Sequence, residues 1–167
     1  MTRWLGIDLG EKRVGLALAD GDAAEAIARP LMTLRRGRDM ATDVASLMAI
    51  IERERVDELV VGLPLEASGD EGLQATLTRA WGEALAVHVG LPVGFRDERL
   101  SSHIAETRLG PMKRGRSGGP PSKTQRDSYR ARVDREAAAI ILQDELDTRT
   151  GRRSSTPRTP DPQERHR

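Results

Sequence analysis

Apolar residues along this chain fall into short runs whose spacing changes from segment to segment. Residues 3–9 (Arg-Trp-Leu-Gly-Ile-Asp-Leu) and 13–19 (Arg-Val-Gly-Leu-Ala-Leu-Ala) read as two strands. The Gly10-Glu11-Lys12 link is short enough for a hairpin, with glycine expected to supply an unusual dihedral. A third strand is predicted over 26–34, where Pro30 points to an edge or a bulge. Met40, Val44, Leu47, Met48 and Ile51 then recur at helical spacing over 39–54. The run from Asp57 to Leu63 predicts a buried parallel strand. After a loop with Pro64, Ser68 and Gly69, a helix is expected over 72–89, a strand from Val93 to Asp97 and a short helix over 101–109. Residues 110–128 hold Gly, Pro, Ser and basic residues without an apolar period, and predict a flexible loop. The last helix is expected over 130–147, burying Val133, Ala137, Ile140, Ile141 and Leu146.

Three strands, a helix, a strand, a helix, a strand and two helices make an α/β pattern. It predicts a mixed sheet, three antiparallel strands then two parallel, flanked by helices. Ligands on such sheets bind beyond the carboxyl ends of the parallel strands. The expected organisation is one domain over 1–147 and a disordered Arg-rich tail over 148–167.

Composition narrows this picture. Aromatic residues are only 2% of the chain, so the core must be built from Leu, Val, Ile, Ala and Met. With no cysteine, disulfides and thiolate metal sites are excluded. Neither a signal-peptide core nor an apolar run of about 18 residues is present, so a cytoplasmic protein without a membrane partner is expected. The net charge is +1, yet residues 108–135 hold nine Lys or Arg against two acids, and residues 149–167 six Arg against two. Such local excess suits a polyanion, although a solvated charge run has the same composition.

Asp8 is the most informative residue. It interrupts an apolar strand, where an isolated carboxylate costs several kcal/mol unless paired or bound to metal. Asp97 and Glu98 end another strand just before Ser101, so helix initiation is an equal reading of them. Asp134 lies in the first turn of the last expected helix, a common place for an acid. Together these distant acids could converge on one sheet edge. Hard oxygen ligands of this kind suit Mg²⁺ or Mn²⁺ rather than zinc, and two such ions support phosphodiester hydrolysis.

Four pieces of the chain resemble the YqgF family of RNase-H-like nucleases, related in fold to RuvC-type resolvases. They are Gly6-Ile-Asp8-Leu-Gly10-Glu-Lys-Arg13-Val-Gly15, Val60-Val-Gly-Leu-Pro64-Leu, Asp97-Glu98-Arg99-Leu100-Ser101-Ser102, and Val133-Asp134 through Gln143. The resemblance spans residues 5–147 and implies a nuclease acting on RNA that trims the 5′ end of precursor 16S rRNA. Its members are also described as Holliday junction resolvases acting on DNA four-way junctions. It places the catalytic and metal-binding acids on Asp8, Glu98 and Asp134, with Asp97 the second choice to Glu98. Two departures stand out: Glu66 replaces a frequent Asn, and the segment 110–128 is longer and richer in Gly and Pro.

Candidate nucleic-acid contacts are Arg13, Arg99, Lys113, Arg114, Arg116, Lys123 and Arg132. The expected partners are precursor rRNA or branched DNA, with the ribosome as a further one, for a monomer or homodimer. His88, His103, Trp4 and Trp81 read as structural. Gly62-Leu-Pro64, leading to Ser68-Gly69 and a helix start, resembles a phosphate-facing loop, but loops of this composition are common and carry little weight. Two other classes compete. Gly-Ile-Asp-Leu-Gly also opens the first phosphate loop of actin-like ATPases and sugar kinases, but those need a second similar domain that 167 residues do not supply. A non-catalytic ribosome- or junction-binding factor would keep the fold and cleave nothing.

Overall fold

Strands β1 (Thr2–Leu9), β2 (Arg13–Gly21) and β3 (Arg29–Arg35) form an antiparallel meander. Helix α1 (Met40–Glu54) leads to β4 (Glu58–Leu63), and α2 (Leu73–Val89) to β5 (Val93–Asp97), both strands joining in parallel. The sheet order is β3-β2-β1-β4-β5. Helices α3 (Ser101–Leu109) and α4 (Lys123–Arg149) complete the chain. This computed structural model describes residues 1–151.

Strand alternation divides the side chains into two unequal layers. Leu5, Ile7, Val14, Leu16, Leu18, Leu59 and Val61 face α1 and α2, where they meet Val44, Leu47, Ile51, Trp81 and Leu85. Each such side chain, fully buried, contributes roughly 1.5–3 kcal/mol. The opposite face carries Trp4, Ala17, Ala19 and Val60 against Ala138, Ala139, Ile141, Leu142 and Leu146 of α4. Small residues there let α4 lie close on the strands. A Cβ on Gly6 would stand 2.8 Å from both the Ala138 carbonyl oxygen and the Leu142 Cβ. The long α4, 27 residues or about 40 Å, thereby crosses the sheet. Val133 and Ala137 on its outer side pack with Ala105 of α3.

Local chemistry sets the boundaries. Asp39 caps α1 by accepting from the Thr42 amide at 2.9 Å. Arg55 and Gly90 end α1 and α2 in the left-handed region, at φ 54° and 69°. Pro30 lies both on an edge strand and at a bulge, because the β2–β3 register steps from Leu16–Met32 to Ala17–Pro30.

Three expectations need correction. Helix α4 begins at Lys123, not near 130, because Ser122 and Gln125 form a reciprocal capping box. The Gly- and Arg-rich composition around it hides this start. Residues 123–128 are therefore helical rather than loop. Gly10 has no positive φ; its smallness is needed because a Cβ would lie 2.8 Å from the Arg13 carbonyl oxygen. At the other end α4 runs to Arg149, past the expected 147, with Arg149 bonded to Glu58 at 2.8 Å. The expected tail beyond residue 151 lies outside the described residues.

Candidate functional site

Asp8 shares the α4 face of β1 with Trp4 and Gly6, and stands opposite Gly15 of β2. A side chain on Gly15 would run into the Asp134 backbone carbonyl, so glycine there lets α4 bring Asp134 up beside Asp8. Gly62 of β4 plays the same part on the other side. Its missing side chain leaves room for the Glu98 carboxylate and for Ile141 of α4. Glu98, just past β5, keeps the ladder going by donating its amide to the Leu63 carbonyl at 3.1 Å. Gly94, Arg96 and Glu98 thus face α4, where Arg96 pairs with Asp144 at 2.9 Å. Phe95, on the opposite face, packs against Gly82 of α2.

Asp8 and Glu98 meet in a half-buried recess. Burial pushes the Asp8 carboxyl up to about 6, with the Asp134 charge adding to the rise and a hydrogen bond with Glu98 opposing it. Burial, then the charge of Asp8, pushes Glu98 up to about 9. Each carboxyl thus favours its protonated form more than an exposed one does, because both are buried and each feels the charge of a neighbouring acid. The Glu98 Oε2 atom is buried without a hydrogen-bond partner.

Asp134 is close enough for its charge to act on Asp8, but its Oδ2 accepts from Arg13 Nε at 2.5 Å. Among the described residues, no three His, Cys, Asp or Glu side chains are grouped so as to hold one ion. The structure thus joins Asp8 to Glu98 and sets Asp134 next to them, turned toward an arginine.

Asp97 faces away. It binds Arg99 through both the Arg99 amide at 3.0 Å and the guanidinium at 2.7 Å, which holds its carboxyl below the usual range. Arg99 also donates to the Ala67 carbonyl at 3.1 Å, tying the β4–α2 loop to the turn after β5. Lys113, Arg114 and Arg116 are exposed on the α3–α4 segment, and Arg114 donates to the Gly118 carbonyl. Lys123 pairs with Asp127 at 3.1 Å, and Arg132 is exposed on α4. His88 bonds the Ala84 carbonyl within its own helix, His103 is exposed, and both tryptophans are buried.

Two residues escaped the sequence reading. Lys12 and Arg130 line a cleft with Gly10, Glu11, Arg13 and Asp134. Arg130 precedes Asp134 by one helical turn, the i,i+4 spacing that puts two side chains on one face. Both lie within the helix expected over 130–147, so this spacing is a signal the sequence itself carries.

The comparisons with known proteins agree with this architecture. The sequence profile of the family described as "RuvX: Holliday junction resolvase" matches residues 2–148. A protein of Anaeromyxobacter sp. (strain Fw109-5) named "Putative pre-16S rRNA nuclease" is 46% identical over 147 residues, 88% of this chain and 98% of its own. One of the same name from Roseiflexus sp. (strain RS-1) is 37% identical over 146 residues, covering 87% and 94%. Among solved structures, Thermus thermophilus RuvC in complex with a Holliday junction substrate superposes with a TM-score of 0.52. It covers 90% of this chain and 98% of that one at 16% identity, which shows an RNase-H-like fold. By profile and by relatives along nearly its whole described length, the chain belongs to the RuvX (YqgF) family.

Proposed function

We propose that this protein is a metal-dependent endonuclease that hydrolyses phosphodiester bonds in nucleic acid, with the 5′ end of precursor 16S rRNA as its substrate. The observation that carries the reading is the Asp8–Glu98 pair. Two carboxyls forced together in a recess, one oxygen buried without any donor, are costly unless a proton or a cation joins them. The all-oxygen donor set fits Mg²⁺ or Mn²⁺. Asp8 and Glu98 would hold the first ion, and Asp134 would complete a two-ion site once released from Arg13. Bound ions of this kind activate a water and stabilise the leaving oxygen.

The remaining residues bind and place the strand. Lys113, Arg114, Arg116, Lys123 and Arg132 are exposed cations that would meet phosphates. Arg99 is engaged by Asp97 and the Ala67 carbonyl, so its proposed role is to hold the loop rather than touch nucleic acid. The names of the relatives favour precursor rRNA, and the family's description favours a four-way DNA junction. Contact with the ribosome and a cytoplasmic location belong to this proposal as companions of the rRNA reading. Labelled precursor 16S rRNA and a DNA four-way junction, incubated side by side with Mg²⁺ and with Mn²⁺, test both. Cleavage of the RNA alone supports the proposal, and cleavage of the junction alone favours the resolvase. Tight binding without cleavage of either makes the protein a non-catalytic factor. No helix among the described residues is long and apolar enough to cross a membrane.

A further inference from the structure

Arg13 and its neighbours carry an inference that rests on the nuclease reading and goes past it. The cleft lined by Gly10, Glu11, Lys12, Arg13, Arg130 and Asp134 brings together three cations from the β1–β2 hairpin and α4. Lys12 and Arg130 make no ion pair among the described residues, and Glu11 is exposed to solvent. Arg13 is the exception, its guanidinium bonded to Asp134. Asp134 in turn adjoins the Asp8–Glu98 pair. A phosphate entering the cleft would find two free cations, and a third already held by a carboxylate.

We propose that this cleft is a phosphodiester subsite acting as a latch, in which a strand phosphate held by Lys12 and Arg130 draws Arg13 off Asp134. The physical reason is competition. A guanidinium fork binds carboxylate and phosphate in the same geometry, and Lys12 and Arg130 add their charge only to the phosphate side. Asp134 then exchanges one cation for another, from arginine to metal. Strand binding and metal binding become reciprocally linked, so each tightens the other. Free protein keeps its third acid neutralised, and the full metal site assembles only on a strand.

Mn²⁺ titration of the full-length protein, followed by the EPR signal of free Mn²⁺, tests the latch. The probe strand is a single-stranded phosphorothioate RNA, and its Mn²⁺ uptake alone is subtracted. Its uncharged methylphosphonate counterpart serves as a second arm. In the wild type, the phosphorothioate strand should tighten Mn²⁺ binding by about 10-fold, within the usual range of coupling between sites, and the uncharged strand should not. Arg13→Gln should bind Mn²⁺ tightly without any strand and gain little from one. The double variant Lys12→Ala/Arg130→Ala should keep the weak wild-type affinity and lose the gain, and this arm stands even if Arg13→Gln fails to fold. Equal Mn²⁺ affinity with and without strand, in protein that still cleaves, would overturn the latch and leave the nuclease reading intact. A wild-type gain that survives unchanged in the double variant would overturn it as well. Absence of both Mn²⁺ binding and cleavage would overturn the latch and the nuclease reading together.

Discussion

Gly15 stands directly across the β1–β2 ladder from Asp8, and the Asp134 carbonyl lies where a Gly15 side chain would be. The clash would be with helix backbone rather than with a yielding side chain. Gly15→Ala should therefore shift α4, cost about 1–3 kcal/mol as overpacking does, and reduce cleavage beyond what the lost stability explains. Gly119→Ala, at a position with nothing within 4 Å, is the control and should stay within about 0.5 kcal/mol. Urea unfolding of the two variants, with activity assayed in parallel, checks the contrast.

The acid pair gives a pH dependence whose sign is definite. Asp8 and Glu98 both hold protons more tightly when folded, so their contribution is complete below the ordinary carboxyl range. It is lost as pH rises through about 6 for Asp8 and about 9 for Glu98. Metal-free protein should lose Tm between pH 5 and pH 9, and millimolar Mg²⁺ should restore more at pH 8 than at pH 5. A flat profile, or Mg²⁺ acting equally at both, would count against the pair as a cation site.

Asp8→Asn should abolish cleavage while raising the metal-free Tm at pH 8. One kcal/mol of relief corresponds to about 2–4 °C in a chain of this size. A lower Tm with residual activity would instead make Asp8 a structural residue.

The neighbours Asp97 and Glu98 should part company. Glu98→Gln is expected to lower the metal-saturated rate by at least about 10²-fold, as losing a charge-stabilising group does. Asp97→Asn breaks the contacts with Arg99 and should cost about 0.5–2 kcal/mol, the scale of a lost turn or cap interaction, with most of the rate retained. Rates measured against Mn²⁺ concentration separate the two effects. A dead Asp97→Asn enzyme beside an active Glu98→Gln would reverse the assignment.

Truncation should be graded along the C-terminus. Removing residues 152–167 should leave the fold unchanged and weaken RNA binding modestly with a smaller salt slope, since it removes five Arg against two acids. Cutting from 148 should also destabilise, because Arg149 bridges Glu58 and Glu145 at 2.8 Å each. Thermal melts and salt-dependent RNA titrations distinguish the two cuts.

Much of this molecule was determined by the sequence itself. The element order follows from local spacing, because strand and helix periods are properties of neighbouring residues. The mixed sheet follows from that order, since short links force antiparallel neighbours and long helical links force parallel ones. Asp8 stood out because a charge within an apolar strand demands an explanation wherever the strand packs. What the sequence left open were relations between distant positions. Alternation put Asp97 and Glu98 on opposite faces but said nothing of which face would meet Asp8. The tertiary structure decided that, because α4 chose the face made of Gly6, Gly15, Ala17 and Gly62. The pairing of Arg13 with Asp134, 121 positions apart, was equally invisible. Each residue reads alone as an ordinary surface charge, and only the packing of α4 on the β1–β2 hairpin brings the two within reach.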